Sequence, residues 1–319
     1  LLYCLYRVEL IHQVTATAYI IGLVFIDVVL AIWYMCTYSE VTFGDKERIS
    51  EHRIEITNLF KSGIVLTISF QITHIIFLLD RQFVSLLFDT NTYAIYSFAY
   101  NLLSIINTVI GAVSLVLFPT LKRKDKNTII RTYSQSVAIV MVFCCFALIC
   151  FYPLKVLIEL ILPEYASSIP YFWIILPGLV ISCCINLIMF TYFKALDKQN
   201  IYCKIACCVL VIAFALNIIF YIFYNNPISF CIASVLSLIA WYIFNTIYFV
   251  QNYHVSWGKN FCYMIFMLVT FYVSTYALEG IAGTVIYFIL FVLTTPCFYN
   301  QEVRQFLKKK PCLTKNKPL

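Results

Sequence analysis

The stretch GIVLTISFQITHIIFLLDRQFVSLLF, residues 63–88, decides how this chain is read. It is apolar on every side of a helix rather than along one stripe, and its only charges are the neighbours Asp80 and Arg81. Crossing about 30 Å of hydrocarbon takes roughly 20 such residues, so the spacing predicts a transmembrane helix over 62–88. Runs of the same kind lie on both sides of it, at 14–36, 94–118, 129–151, 169–193, 202–224, 228–250, 260–278 and 284–302, which makes about nine spans.

Composition agrees. The 319 residues are 62% hydrophobic and 12% charged, with 28 Phe and 24 Tyr. A soluble domain carries about 25% charged residues, and the mean hydropathy of +0.89 leaves no soluble domain of useful size. The expected fold is therefore an all-α polytopic membrane protein. The 14 cysteines, among them Cys144, Cys145, Cys150, Cys183, Cys184, Cys207 and Cys208, are strewn through apolar runs without the clustered Cys/His spacing of a zinc site. Adjacent cysteines in a helix do not easily bridge each other and act as small hydrophobes. No metal is expected. Nor does any Walker loop, HExxH, GxSxG or dinucleotide fingerprint occur, so no cofactor and no ATP hydrolysis are expected.

Lys and Arg set the orientation, because short translocated loops shed positive charge. With the loop 37–61 cytoplasmic, alternation puts Lys46, Arg48, Arg53, Lys61, Lys122, Arg123, Lys124, Lys126, Arg131, Lys194, Lys198, Lys204, Lys259 and the tail's Arg304, Lys308, Lys309, Lys310, Lys315 and Lys317 on one side. That is 19 of the 22 basic residues, against Arg7 and Lys155 outside and Arg81 within a span. The net charge of +7 is thus explained by loops facing anionic headgroups, without nucleic acid as a partner.

Ionisable groups at membrane depth cost about 2.5–3.5 kcal/mol or more and mark candidate sites. Here they are Asp27 in the first span and His74, Asp80 and Arg81 in the second. At about 100° per residue, Gln71, His74, Leu78, Arg81 and Ser85 share one narrow stripe, while Asp80 projects to the opposite side with Ser69 and Thr73. One reading has Gln71, His74 and Arg81 lining a water-filled cavity in which Arg81 holds a phosphate or pyrophosphate. The other has Arg81 snorkelling outward, Asp80 accepting bonds from a neighbouring helix, and His74 as a hydrogen-bonded core residue.

In the third span Tyr93, Ser97, Tyr100, Ser104, Asn107, Thr108 and Gly111 recur on one face. Such a face either glues helices together or receives sugar hydroxyls, with tyrosines suited to carbohydrate stacking. Pro119 is expected to end this helix before the basic loop. Pro153, Pro163 and Pro170 mark an external loop at 152–168 with room for a short interfacial helix. Pro177 and Gly178 suggest a kink in the fifth span, and Asn186 and Asn217 read as interhelical partners.

The run Leu79-Asp80-Arg81-Gln82-Phe83-Val84-Ser85, then Tyr93-Ala94-Ile95-Tyr96-Ser97-Phe98-Ala99-Tyr100, closing on Val116-Leu117-Phe118-Pro119, resembles the central region of bacterial polysaccharide transporters. These are the Wzx-type O-antigen and capsule repeat-unit flippases of the MOP exporter superfamily. The resemblance implies a MOP/MATE-like bundle of two six-helix lobes around a central cavity, working by alternating access in the bacterial inner membrane, with no enzymatic activity. It also implies the cargo, an undecaprenyl-pyrophosphate-linked oligosaccharide repeat unit, and as partners the lipid bilayer, a glycan polymerase and a chain-length regulator. On that pattern residues 1–36 are the end of the first lobe, 37–61 the cytoplasmic inter-lobe linker, 62–302 the second lobe with additional C-terminal helices, and 303–319 a basic cytoplasmic tail. The chain opens at Leu1, so the first lobe is expected to be incomplete. Two other readings stand beside this one: a MATE-like drug or cation antiporter, and a truncated remnant that transports nothing.

Overall fold

A computed structural model describes residues 16–40, 53–278 and 281–308. Every element among them is helical. The helices are α1 (Ala16–Thr37), α2 (Arg53–Leu87), α3 (Thr90–Lys122), α4 (Lys126–Ala147), α5 (Phe151–Ile161), α6 (Ile169–Cys183), α7 (Phe190–Ala195), α8 (Gln199–Tyr224), α9 (Pro227–Tyr253), α10 (Gly258–Ala277) and α11 (Ile281–Lys308). Short 3-10 segments, Leu148–Cys150 and Pro163–Ser168, join α4 to α5 and α5 to α6, and a π turn, Cys184–Met189, joins α6 to α7.

Each of the nine expected spans coincides with a long helix. Eight helices among the described residues are long and apolar enough to cross a membrane. The exception is α3, the helix with the polar face, whose shorter apolar stretch is Ala112–Lys122. The chain divides into two compact units, Leu1–Lys61 and Ser62–Leu319.

Several boundaries differ from the sequence reading. The segment 53–61, read as linker, is helical because α2 begins at Arg53. Residues 41–52 and 309–319, with most of the expected linker and tail, lie outside the described residues. Pro119 does not end α3, which runs on to Lys122. A proline removes one backbone donor only, and the Arg123 amide still reaches the Pro119 carbonyl at 3.3 Å. The expected loop at 152–168 is almost entirely helical, and α4 to α5 forms a 36-residue apolar helix, Lys126–Ile161.

A membrane helix must satisfy its polar groups internally. Accordingly Ser69, Thr73, Thr108, Ser237, Thr246 and Thr270 each donate to the carbonyl four residues back on their own helix. Aromatic and aliphatic side chains of α2 to α4 and of α6 to α10, with those of the π turn, make the core.

The two ends of the bundle are distinct. At one, Lys122 pairs with Asp197, Asn260 donates to the Ser134 carbonyl at 3.0 Å, and Lys259 lies 4.8 Å over the Tyr299 ring. At the other, Phe98 stacks on Tyr165 and the Tyr152 hydroxyl donates to the Leu278 carbonyl at 3.0 Å. The loops that hold Lys122, Asp197 and Lys259 therefore gather at a single end.

Candidate functional site

α2 presents two polar faces. Ser69, Thr73 and Asp80 are buried, whereas Gln71, His74 and Ser85 are exposed and Arg81 is half-buried. The buried face packs on α8 and α9: Thr73 lies within hydrogen-bond distance of the Tyr202 hydroxyl, 3.2 Å, and Phe77 and Phe83 meet Trp241 and Phe230.

After Leu87 the chain reverses at once. Asp89 caps α3 by accepting from the amides of Asn91 and Thr92, both at 3.1 Å. That tight hairpin folds Tyr96 and Tyr100 back onto Asp80, which lies 16 and 20 positions earlier in the chain. Both phenol hydroxyls donate to Asp80 Oδ2, the Tyr96 bond being 2.9 Å long, and the Arg81 amide donates to Asp80 Oδ1 at 2.8 Å. Asp80, 1% exposed, is thus supplied with donors on both oxygens, as a buried carboxylate requires.

Arg81 turns the other way. Its guanidinium carbon sits 4.6 Å above the centroid of the Tyr100 ring, within cation–π range. One terminal nitrogen lies 3.4 Å from Asn101 Oδ1, and Nε is buried without a partner.

Beside Arg81 opens a cavity of about 70 Å³ between α2, α3, α6 and α9. Its polar lining is Arg81, Tyr100, Ser104, Asn107, Ser182 and Ser234, and Phe77, Gly178 and Leu238 close its apolar side. Pockets for small molecules run to about 300–1,000 Å³, so this one suits a phosphate-sized group or a few waters, not a sugar chain.

Of the sequence-derived candidates, Arg81, Tyr100, Ser104 and Asn107 come together at the cavity. Ser97 and Tyr93 are half-buried, and Ser97 Oγ has no hydrogen-bond partner. Gln71 and His74 lie outside the cavity lining on the open face of α2, where His74 packs edge-on to Phe70 at 4.3 Å. Pro177 sits inside the unbroken helix α6, and the change of register comes later, at the π turn. Near that proline the Tyr272 hydroxyl donates to the Ile174 carbonyl at 2.8 Å, which helps satisfy the backbone there. Gly178 is where α6 and α9 come close, since a Cβ would stand 3.3 Å from Leu238 Cδ1.

Sequence reasoning missed Ser182, Ser234 and Tyr96. The two serines were visible as small polar residues in apolar spans, a recognised mark of helix interfaces. Nothing in the sequence told which serines face each other. Tyr96 falls off the polar stripe of α3 and acquires its meaning only from the hairpin.

Residues 10–125, somewhat over a third of the chain, match the family model described as polysaccharide biosynthesis protein. Over these residues the chain is similar to the polysaccharide biosynthesis protein family. The match takes in α2 and α3 with Asp80, Arg81, Tyr96 and Tyr100. No curated protein and no solved structure matches the chain significantly. Family and helical membrane fold together point to a multi-pass, transporter-like protein of polysaccharide biosynthesis.

Proposed function

We propose that this polysaccharide biosynthesis protein is a flippase, moving undecaprenyl-pyrophosphate-linked oligosaccharide repeat units from the cytoplasmic to the periplasmic leaflet of a bacterial inner membrane. The observation that carries the reading is Arg81: a guanidinium on a membrane-length helix, with a buried Nε lacking any partner, at the edge of a cavity lined by hydroxyls and an amide. A planar, permanently charged group with spare donors suits a phosphate oxygen. It equally disfavours a cationic drug, which sets this reading above the antiporter.

The cavity is too small for the glycan itself. The exposed polar residues beside it, Gln71 and His74 on α2 and Asn101, Ser104 and Thr108 on α3, offer the sugar hydroxyls a hydrated surface instead. The lipid tail stays in the bilayer, so neither phosphate nor sugar is exposed to hydrocarbon. The gathering of basic loops at one end supports a cytoplasmic C-terminus. A glycan polymerase and a chain-length regulator are the partners this role calls for.

The test is restoration of surface glycan in a bacterium deleted for its own repeat-unit flippase, with the protein expressed from its full reading frame. Wild type restores it, Arg81→Ala abolishes it at equal membrane abundance, and Arg81→Lys recovers part. Full activity of Arg81→Ala overturns the phosphate reading.

A further inference from the structure

Among the described residues Asp80 is the one buried acid. The proposed function gives it no role beyond its own hydrogen bonds. Yet one side chain touches both it and Arg81: Tyr100 donates its hydroxyl to Asp80 Oδ2 and holds the Arg81 guanidinium over its ring face. Tyr100 also lines the cavity.

The groups that face Asp80 are few. From α3 come Tyr96 and Tyr100, from α9 the Ser234 hydroxyl, with Cys231 close by against Tyr96, and from its own helix Arg81. Tyr171, at the start of α6, packs on Tyr96 from behind. In their ordinary states none of these partners changes charge below about pH 8. Desolvation penalises the carboxylate while the phenols, the amide and Arg81 favour it, opposing influences on one proton.

We propose that Asp80 is a proton-binding site linked through Tyr100 to Arg81, so that proton uptake at Asp80 and anion binding at Arg81 favour each other. The inference rests on the reading of Arg81 as an anion contact. With Asp80 ionised, the pair is neutral overall, and an anion arriving at Arg81 meets a second negative charge nearby in a medium that screens poorly. When Asp80 takes a proton, the pair carries a net positive charge. The acid then has its own hydrogen to donate and no longer needs two phenol donors. The Tyr100 hydroxyl is free to turn its hydrogen toward the cavity, beside Ser104 and Asn107. Added charge and an added donor both favour the anion, and by reciprocity a bound anion favours the proton.

Sulfate tests this, because its charge is constant between about pH 5 and 8 and any pH dependence must come from the protein. Sulfate binding to the full chain in lipid nanodiscs is measured by calorimetry in two buffers of different ionisation heat, which counts the protons exchanged. The expected result is proton uptake on binding, with affinity rising as pH falls by at most about tenfold per pH unit, the limit for one coupled proton. Asp80→Asn binds with a flat pH profile and no uptake. His74→Gln, altered on the open face of the same helix, keeps the uptake. If Asp80→Asn does not fold, uptake that persists in His74→Gln decides the matter, since the other groups facing Asp80 keep their charge in this pH range. Sulfate binding without proton exchange overturns the linkage and leaves the Arg81 site standing. No sulfate binding at any pH, or binding undiminished in Arg81→Ala, overturns both.

Discussion

Lys122 donates to both carboxylate oxygens of Asp197, at 2.7 and 2.8 Å, and so ties the last turn of α3 to the bend between α7 and α8. The pair is a surface contact, its side chains 45% and 66% exposed, and such bridges contribute about 0–1 kcal/mol. Asp197 also has φ +56°, in the left-handed region. Most residues pay about 1–2 kcal/mol there, Gly nothing and Asp little. Lys122→Ala should therefore shift thermal stability only slightly, and Asp197→Ala should lose more than Asp197→Gly. Equal losses in the two Asp197 variants would show that backbone conformation is not what matters at this bend.

Gly178 separates two effects of added volume. A methyl there presses on the Leu238 Cδ1 end, 3.3 Å away, and on Val235 Cγ2 at 3.5 Å, both able to give a little. Gly178→Ala should fold and keep most activity. Gly178→Leu overpacks the α6–α9 contact, at a cost of about 1–3 kcal/mol, and intrudes on the cavity. It should lose glycan export while remaining in the membrane. Export by Gly178→Leu at wild-type rate would mean that the cavity is not used.

The spans were legible because a continuous apolar run reads as a membrane helix whatever it packs against. Their ends were not. Hydropathy reports where lipid stops, and residues 53–61 continue α2 although Arg53, Glu55 and Lys61 are charged, since all three are good helix formers. The faces of α2 were likewise legible from 3.6-residue periodicity, which separates Asp80, Ser69 and Thr73 from Arg81. The bond from Tyr96 to Asp80 was not, because it depends on a two-residue reversal at Phe88 and Asp89 that places α3 against one face of α2 and not the other. The π turn at Cys184–Met189 was not legible: apart from Asn186 its residues are as apolar as those on either side.

Tyr96→Phe and Thr73→Val rank the buried polar contacts. The first removes a 2.9 Å bond to a carboxylate, the second a 3.2 Å contact between neutral hydroxyls. Bonds to charged groups contribute about 1.5–3 kcal/mol and neutral ones about 0.5–1.5. Unfolding in detergent should order the proteins as wild type, Thr73→Val, then Tyr96→Phe. The reverse order would indicate that Asp80 is neutral in the folded protein, a state in which it needs fewer donors.

Two acids in the loops give the acid limb of stability. Asp89 accepts from the Thr92 hydroxyl at 2.6 Å as well as from two amides, and Asp125 accepts from the Thr128 hydroxyl at 2.6 Å and its amide at 3.0 Å. These bonds, the threonine hydroxyl foremost, hold both carboxyls below the usual range. A depressed value means that the folded state favours the ionised form. Its contribution is then complete above the unfolded value, about 3.9, and is lost as pH falls through the lower folded value. Asn keeps the cap without the charge. The double variant Asp89→Asn, Asp125→Asn should therefore melt close to wild type at neutral pH and decline less steeply between about pH 4 and 2. An unchanged acid limb would place the acid sensitivity outside these two caps.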